Sequence, residues 1–318
     1  MNNELIDVVI TSRTDQGAGV AVIELEALYG GKLPEFSAGA HIDVHISDDL
    51  IRQYSLCSDP ISSRVYRIGV LNDPNSRGGS VKAFNDFNEQ TNIKISVPRN
   101  HFPLNESAGK SILAGGGIGI TPMMAMAYEL LHAGKEFELH YCTRTSGAGA
   151  FEQELVQEFG NRVKFHYDDQ SKSQLFDPQV IFNPFDEDTH VYVCGPTGFM
   201  DWVINTAKQA GYPSEQVHFE YFNAEVDTDG EEFEVHCEQS NITVKVLSDD
   251  TIAKALRKAG IKVNMSCEEG VCGTCITDVL EGEPDHRDHF LTDEEKEDND
   301  QIALCCSRAK SKRLVIDV

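Results

Sequence analysis

Positive charge and long apolar runs are what this sequence has least of. Its 318 residues include 27 Lys and Arg against 52 Asp and Glu, which gives a formal net charge of −25 at pH 7. Such an acidic chain repels nucleic acid and anionic membranes, so we expect neither as a partner. No apolar run reaches the roughly 18 residues of a membrane-spanning helix. The first residues also lack the basic start and apolar stretch of a secretory signal.

Cysteine, by contrast, is plentiful. Nine cysteines in a chain without an export signal favour a reducing compartment, here the cytoplasm, and metal or redox use over disulfides. The hydrophobic fraction of 40% suffices for several cores, and the length suggests two or three domains. The acidity is consistent with steering toward a basic patch on a protein partner, although a generally acidic proteome explains it equally well.

The order of apolar segments divides the chain into three domains. Residues 1–105 carry short alternating segments, which predict an antiparallel β-barrel with strands at 5–10, 20–25, 41–46, 66–70 and 93–97. Residues 106–223 alternate strands (112–114, 137–141, 163–167, 191–194) with helical stretches, which predicts an α/β doubly wound sheet. Residues 224–232 are acidic and nearly without large apolar groups, as in a linker.

The remaining residues, 233–318, predict an α+β domain. Phe233 and Val235 are expected to pair with apolar residues of the segment 242–246 as a hairpin. Residues 251–259 then carry apolar groups at helical spacing, and Gly260 ends this helix just before the most informative motif of the chain.

That motif begins at Cys267 and has the spacing C-x4-C-x2-C, with a further cysteine after a long gap. This is the plant-type spacing for a [2Fe–2S] cluster, which carries one electron at a time. Gly270 and Gly273 let the loop fold tightly around a cluster, since glycine tolerates positive φ. The candidate ligands are Cys267, Cys272, Cys275 and Cys305.

Other uses of these cysteines fit the sequence less well. A zinc site would prefer a second C-x2-C or H-x3–5-H pair downstream, and a thioredoxin-like pair would open a helix in a βαβ context. His286 and His289 lie in a charged run that predicts a solvated or hydrogen-bonded loop. Cys306 is adjacent to Cys305, and spacing alone does not decide between these two as the fourth ligand.

A glycine-rich turn at residues 115–119 joins a buried strand to a helix expected to begin near Met123. Thr121 suits the N-cap and Pro122 the first helical position. Backbone N–H groups at such a helix start can hold a pyrophosphate, although a turn without a ligand is the alternative, because the strict G-x-G-x-x-G is not kept. The candidate contacts are Gly115, Gly116, Gly117, Gly119 and Thr121.

A second turn, Cys194-Gly195-Pro196, ends another strand of the predicted parallel sheet. Ligands of open α/β sheets bind at the carboxyl ends of strands, so Cys194 is a candidate neighbour of a nicotinamide. A buried structural cysteine is the alternative.

The choice between NADH and NADPH stays open at this level. Arg144, after one predicted strand, could pair with a 2′-phosphate. Asp168 and Asp169, after the next strand, could accept hydrogen bonds from ribose hydroxyls.

Two polar segments of the N-terminal domain suit a flavin. Arg52, Tyr54 and Ser55 lie on one extended strand. The turn at residues 78–80 precedes a predicted helix at 81–87, whose N-terminus can hold a phosphate. On chemistry alone, an Arg-x-Tyr-Ser strand is more often an ordinary β surface.

Taken together, these motifs resemble the phthalate dioxygenase reductase family, the flavin and iron–sulfur reductase components of Rieske-type oxygenase systems. The resemblance covers all three domains in the order flavin, nicotinamide, C-terminal cluster. The matching segments are Arg52-Gln53-Tyr54-Ser55, Arg77-Gly78-Gly79-Ser80, residues 115–122, Cys194-Gly195-Pro196, His218-Phe219-Glu220, Cys267 to Cys275, Asp285-His286-Arg287-Asp288 and Cys305-Cys306-Ser307-Arg308-Ala309.

The resemblance implies FMN rather than FAD, NADH as the usual donor, and a plant-type ferredoxin fold for the last domain. It assigns the FMN phosphate to Arg52 and to the turn of Arg77, Gly78, Gly79 and Ser80. It assigns Tyr54 and Ser55 to the flavin ring, with Ser55 near N5, where hydride arrives from a nicotinamide placed by Cys194. It also puts Phe222 beside the flavin and makes Cys305 the fourth cluster ligand.

The implied function is transfer of electrons from NADH through FMN and the cluster, one at a time, to a Rieske-type oxygenase. One alternative is a stand-alone NADH oxidoreductase that reduces a quinone or a ferric chelate. Another is an electron carrier whose first two domains have lost their ligands. A linker-tethered terminal cluster domain favours a protein acceptor. Vanillate, phenoxybenzoate and carnitine oxygenase systems have similar reductases, and the sequence does not name the oxygenase substrate.

Overall fold

The computed structural model describes residues 5–47, 50–62, 64–74, 76, 78–170, 174–222 and 227–318. The chain forms two compact units, Met1–Glu220 and Tyr221–Val318. Arg77 and residues 224–226 of the predicted linker lie outside the described residues. None of the helices in the described ranges combines the length and the apolar character needed to cross a membrane.

Antiparallel strands build the first sheet of the unit Met1–Glu220. Its strand order is β4-β3-β6-β1-β2-β5, with β7 beside β3. Alternate residues such as Val8 and Ile10 on β1, or Ile23 and Leu25 on β2, are buried in its core. The elements are β1 (Leu5–Gln16), β2 (Val20–Ala27), β3 (Ala40–Ser47), β4 (Leu50–Ser55), β5 (Tyr66–Leu71), α1 (Gly79–Asp86), β6 (Asn92–Ser96) and β7 (Arg99–Asn100).

These strands confirm the predicted antiparallel architecture, including the extended strand of Arg52, Tyr54 and Ser55. β1 continues beyond its predicted end at residue 10, because it stays paired with β2 past a bulge between Ile10 and Ser12. Its second half is polar and only partly buried, so no apolar alternation marked it in the sequence.

Parallel strands form the second sheet of the same unit, in the order β10-β9-β8-β11-β12. This confirms the predicted doubly wound sheet. The fifth strand, β12, is short and only one of its residues is fully buried, so its apolar signal was too weak to predict it. The elements are β8 (Lys110–Gly116), α2 (Ile120–His132), β9 (Glu136–Thr143), α3 (Glu152–Phe159), β10 (Val163–Tyr167), α4 (Pro178–Ile181), β11 (Thr189–Cys194), α5 (Thr197–Ala210) and β12 (Val217–Glu220).

Helix α2 begins earlier than the sequence predicted. A single 3₁₀ turn, Gly117–Gly119, runs directly into the helix at Ile120, and Gly119 is its N-cap. Thr121 is therefore a helical residue rather than the N-cap, and its hydroxyl donates to the Ile118 carbonyl at 3.0 Å. The Thr121 methyl group packs on Gly69 of β5, and a Cβ on Gly69 would lie 2.9 Å from this methyl carbon.

The unit Tyr221–Val318 contains a five-stranded sheet of order β14-β13-β19-β15-β17 and a separate pair, β16 with β18. The predicted hairpin is confirmed, with Phe233 opposite Val246 and Val235 opposite Val244. Thr251 caps the predicted helix by accepting from the Lys254 N–H at 3.1 Å. The elements are β13 (Phe233–Cys237), β14 (Ile242–Val246), α6 (Ile252–Lys258), β15 (Ile276–Glu281), β16 (Pro284–Asp285), α7 (Asp293–Asp298), β17 (Gln301–Ala303), β18 (Arg308–Ala309) and β19 (Arg313–Ile316).

Two arginines fasten the described part of the predicted linker to this unit. Buried Arg308 donates to the carbonyls of Thr228 and Glu231, at 2.6 and 3.0 Å. Arg287 donates to the carbonyls of Asp227 and Asp229, at 2.7 and 2.8 Å. Residues 227–231 therefore pack against the cluster domain, and the predicted boundaries at residues 105, 223 and 232 stay predictions.

Candidate cofactor sites

Cys194 and the glycine turn lie side by side at the carboxyl edge of the parallel sheet. β8 and β11 are neighbours, and Cys194 is opposite Gly115. A Cβ on Gly119 would collide with the Cys194 carbonyl, and one on Gly116 would lie 3.1 Å from Pro196, so these turns approach closely only as glycines. The strand order reverses between β8 and β11, which is where open α/β sheets bind their ligands.

The start of α2 fits a pyrophosphate. Gly117 has a left-handed φ of +54°, and no heavy atom of the described residues lies within 4 Å of the place where its Cβ would be. The first helical turn presents N–H groups that lack intrahelical partners and contains no acidic residue. The hydroxyl of Thr121 is already used within the turn, so its contact with a nucleotide stays a prediction.

Arg144 and the two aspartates that could discriminate nucleotides are brought together. They follow the neighbouring parallel strands β9 and β10. The Asp168 N–H donates to the Thr143 carbonyl, and the Asp169 N–H donates to the Arg144 carbonyl, each at 3.2 Å. One cation and two carboxylates thus share the same edge of the sheet.

In the antiparallel sheet, Arg52 lies against the start of helix α1. A Cβ on Gly79 would come within 2.4 Å of the Arg52 guanidinium, so glycine lets the guanidinium pack directly on the helix start. The N-cap, Gly78, has a left-handed φ of +87°, and the first turn carries no acidic residue. A guanidinium beside a helix N-terminus is chemically suited to a phosphate group.

Two hydroxyl groups nearby support the same interpretation. The hydroxyls of Tyr54 and Ser80 are buried and make no hydrogen bond to any residue that the structure describes. Burial raises the pKa of Tyr54, so its phenol stays protonated and able to donate. Because buried polar groups are nearly always hydrogen-bonded, these two fit a ligand with acceptor atoms, as the phosphate and ring of FMN provide.

Ser55 and Cys194, predicted from separate motifs, meet at a third residue. The Ser55 hydroxyl donates to Glu220 Oε2 at 3.4 Å. Glu220 ends β12 directly opposite Cys194 on β11. Burial raises the pKa of the Cys194 thiol well above its ordinary value, and the nearby Glu220 carboxylate adds to this, so the thiol stays neutral.

Glu220 itself is an unusual carboxyl group. Burial raises its pKa from 4.5 to about 8, and the hydrogen bond from Ser55 offsets only part of this shift. Its other oxygen, Oε1, lies 3.7 Å from Nδ1 of buried His41. Sequence reasoning named Glu220 only within a family motif and missed His41, because their contacts join residues far apart in the chain.

The four predicted cluster ligands converge in the unit Tyr221–Val318. All are buried free thiols. Cys267 lies within hydrogen-bonding reach of Cys272 and Cys305, and Cys275 lies within reach of Cys305. Within the same loop, the backbone N–H of Glu269 donates to the Cys267 sulfur at 3.4 Å. Four thiols of this kind, with a backbone N–H on a sulfur, fit a [2Fe–2S] cluster.

The glycines of the loop are needed for both conformation and space. Gly270 and Gly273 have left-handed φ values of +73° and +70°. A Cβ on Gly273 would collide with the Phe290 ring, and one on Gly270 would come within 2.6 Å of the Cys306 sulfur. Cys306 thus packs against the back of the loop, which favours Cys305 as the fourth ligand.

The charged run at residues 285–289 is a hydrogen-bonded loop, one of its two predicted forms. Asp288 is buried and accepts from the backbone N–H groups of Phe290 and Leu291, at 3.1 and 2.8 Å. The side chain of His286 is 7% exposed, and its Nδ1 lies 3.9 Å from Asp288 Oδ1. The loop supports Gly270 from behind, since the His289 N–H donates to the Gly270 carbonyl.

Comparison with known proteins extends these observations to the whole chain. Residues 235–310 match the family described as the 2Fe-2S iron-sulfur cluster binding domain. The vanillate O-demethylase oxidoreductase of Pseudomonas sp. (strain HR199 / DSM 7063) is 46% identical over 99% of this chain and 100% of its own length. Phthalate dioxygenase reductase of Burkholderia cepacia is 40% identical over 97% and 96%. A solved phthalate dioxygenase reductase, described as a modular structure for electron transfer from pyridine nucleotides to [2Fe-2S], matches with a TM-score of 0.76 and 38% identity over 99% and 98%.

The fold and the sites define an electron-transferring oxidoreductase with flavin, pyridine-nucleotide and [2Fe–2S] modules. The chain belongs to the phthalate dioxygenase reductase family, the reductase components of oxygenase systems. The predicted family, the three-part fold class, the oxidoreductase activity and the cofactors FMN, pyridine nucleotide and [2Fe–2S] are thereby confirmed.

Proposed function

We propose that this chain is the NADH-dependent reductase component of a Rieske-type oxygenase system. The observation that supports it most is the convergence of Ser55, Cys194 and Glu220, which joins the flavin-type sheet to the nucleotide-type sheet at one point. A four-thiol loop in the same chain supplies a one-electron carrier. An oxygenase reductase needs both a site for a two-electron donor and a carrier that releases electrons one at a time.

The residues divide the work by cofactor. Arg52, Arg77 and the turn at residues 78–80 would hold the FMN phosphate, and Tyr54 and Ser55 would hydrogen-bond the ring. When bound, FMN accepts hydride from a nicotinamide and releases electrons singly, and the cluster carries them one at a time. Ser55 would hydrogen-bond near N5 of a bound flavin, and its hydroxyl is linked to the Glu220 carboxyl group. Neutral Cys194 would lie beside the nicotinamide, and Phe222 would serve the flavin ring, as the resemblance implies.

The nucleotide is NADH. Gly115, Gly116, Gly117, Gly119 and Thr121 form the pyrophosphate turn, with Gly195 and Pro196 closing it. Asp168 and Asp169 stand at the sheet edge beside Arg144. Carboxylates accept hydrogen bonds from ribose hydroxyls and repel a 2′-phosphate, so they offset the attraction of the single arginine.

The electron acceptor is a protein. Relatives of this chain are named as reductases or oxidoreductases of vanillate, carnitine and phthalate oxygenase systems. We therefore assign the partner to a Rieske-type oxygenase whose docking face is basic, to match a chain of net charge −25. Nine free cysteines, four of them as cluster ligands, suit the reducing cytoplasm.

Reconstitution tests this proposal. The purified holoprotein is mixed with candidate Rieske-type oxygenases, and product formation is followed with NADH or NADPH, at rising salt. We expect turnover with NADH that needs the oxygenase and weakens as salt screens the acidic surface. Equally fast NADH oxidation with a quinone or ferric chelate and no transfer to any oxygenase would favour the stand-alone oxidoreductase instead.

A further inference from the structure

Two histidines continue the row of polar groups that begins at Ser55. The Glu220 carboxylate faces Ser55 with Oε2, and its Oε1 lies 3.7 Å from Nδ1 of His41. The ring centroid of His41 is 5.4 Å from that of His101, with the planes inclined by 34°. His41 is 4% exposed, whereas His101 is at the surface. The row therefore runs from a buried site to solvent.

Strand pairing fixes this arrangement. On β3, His41 is opposite Ser55 of β4 on one side and opposite Arg99 of β7 on the other, and His101 directly follows β7. His41 thus bridges the strand that carries Ser55 and the surface segment that carries His101. A spacing of this size between imidazoles allows proton exchange directly or through one water.

Arg99, which lies opposite His41 on β7, is paired with a carboxylate. Arg99 donates to Asp43 of β3 at 2.8 Å. Partial burial of the ring, and secondarily Arg99, lowers the pKa of His101, so this ring is neutral and able to accept a proton at neutral pH. On the far side, the Cys194 thiol stays protonated beside Glu220. His41 is therefore the group through which a proton on Glu220 can reach the surface.

The reaction requires such a route. Each NADH oxidised to NAD⁺ yields two electrons and one proton, and the electrons leave singly through the cluster to the acceptor. One proton per NADH must therefore leave the flavin site for it to return to its starting state. Building on the proposed function, we propose that His41 and His101 carry this proton from Glu220 to solvent.

The donor side of this route is suited to its task. Glu220 has a pKa of about 8, so it changes protonation near neutral pH without a large energy barrier. It can take the proton through the Ser55 hydroxyl and pass it on at Oε1. Arg99 and Asp43 form an ion pair beside the path, so this pair adds no net charge that would hold the proton.

The experiment separates proton release from electron release. Holoprotein reduced with NADH is mixed with excess ferricyanide in weakly buffered solution. Flavin reoxidation is followed by its absorbance and proton release by a pH-indicator dye. In the wild type, protons are expected to appear as fast as electrons leave. In H41Q and H101A, proton release is expected to slow by roughly 10²-fold, while FMN content and visible spectra stay unchanged.

Imidazole supplies a test that a merely structural role would not pass. Added imidazole is expected to restore fast proton release in H101A, because the missing group lies at the surface. H132Q is the matched control, since His132 is a half-exposed histidine paired with Asp59 in the same unit, and it should behave as the wild type. The route would be overturned if proton release kept pace with flavin reoxidation in both H41Q and H101A. It would also be overturned if proton release were slow in H101A and added imidazole did not restore it. A wild type that NADH cannot reduce would instead refute the proposed function.

Discussion

The Ser55 hydroxyl lies 3.4 Å from Glu220 Oε2, although 165 positions separate the two residues in the chain. This contact joins the antiparallel sheet to the parallel sheet at the point where Cys194 ends a neighbouring strand. Hydride transfer between a nicotinamide and a flavin needs groups from both sheets within a few ångströms of each other. A carboxyl group placed there also links the redox site to the pH of the solution.

Replacing Glu220 is expected to stabilise the fold in a pH-dependent manner. Burial raises the pKa of Glu220 from 4.5 to about 8. Between these values the unfolded chain loses the proton that the folded chain keeps, so stability falls as pH rises through this window. E220Q removes the ionisation, and its melting temperature should exceed that of the wild type by more at pH 8 than at pH 5. Thermal melts of both proteins measure this. The exposed Glu187→Gln serves as control, and an equal difference at both pH values would argue against a raised pKa.

Removing the charge of Arg52 is expected to weaken FMN binding. The guanidinium packs on Gly79 at the start of helix α1, where charge-assisted hydrogen bonds to a phosphate are worth about 1.5–3 kcal/mol. R52Q should therefore raise the dissociation constant for FMN by roughly 10- to 100-fold. Quenching of flavin fluorescence on titration of the apoprotein gives this constant. K94Q, on an exposed lysine paired with Asp7 of the same sheet, should leave it unchanged. An unchanged affinity of R52Q for FMN would show that Arg52 does not bind the phosphate.

The adjacent cysteines provide a matched pair for the cluster. Cys305 lies within reach of Cys267 and Cys275, whereas the Cys306 sulfur packs against Gly270. C305S should abolish cluster absorbance and bound iron and sulfide, while C306S retains them. Flavin reduction by NADH should persist in C305S, as in C272S, because the groups assigned to the flavin and the nucleotide, apart from Phe222, lie in the unit Met1–Glu220. A cluster that survives in C305S but not in C306S would reverse the assignment.

Loss of the buried Arg308 should destabilise the cluster domain. Its guanidinium donates to four backbone carbonyls, those of Thr228, Glu231, Leu247 and Asp250, at 2.6 to 3.0 Å. R308M removes all four of these hydrogen bonds to buried backbone, at a cost of roughly 3 kcal/mol. Urea unfolding followed by cluster absorbance measures the change. R313M, at an exposed arginine on β19, is the control. A urea midpoint of R308M equal to that of the wild type would show that the four hydrogen bonds contribute little.

Local patterns predicted most of this architecture. The hairpin of Phe233 and Val235, the helix that Thr251 caps, and the loop from Cys267 to Cys275 all follow from residues near each other in the chain. The start of α2 was predicted too late, because a 3₁₀ turn runs directly into the helix and the Thr121 hydroxyl donates to the Ile118 carbonyl instead of capping it. The fourth ligand could be chosen only by resemblance to a family.

What the sequence could not predict are the contacts between distant segments. His41 has no motif, and it becomes relevant only because strand pairing and the end of β12 bring Glu220 beside it. The packing of the predicted linker could not be predicted either, because Arg287 and Arg308, which hold it, lie about 60 to 80 positions further along the chain. A single sequence contains no signal for such pairs.

An anaerobic titration of the holoprotein with NADH tests the central claim most directly. FMN takes two electrons and the [2Fe–2S] cluster takes one, so both chromophores should be fully bleached at about 1.5 NADH per chain. NADPH should reach this end point far more slowly. An end point at about 1 NADH, with the cluster still oxidised, would contradict an electron path from nucleotide through flavin to cluster.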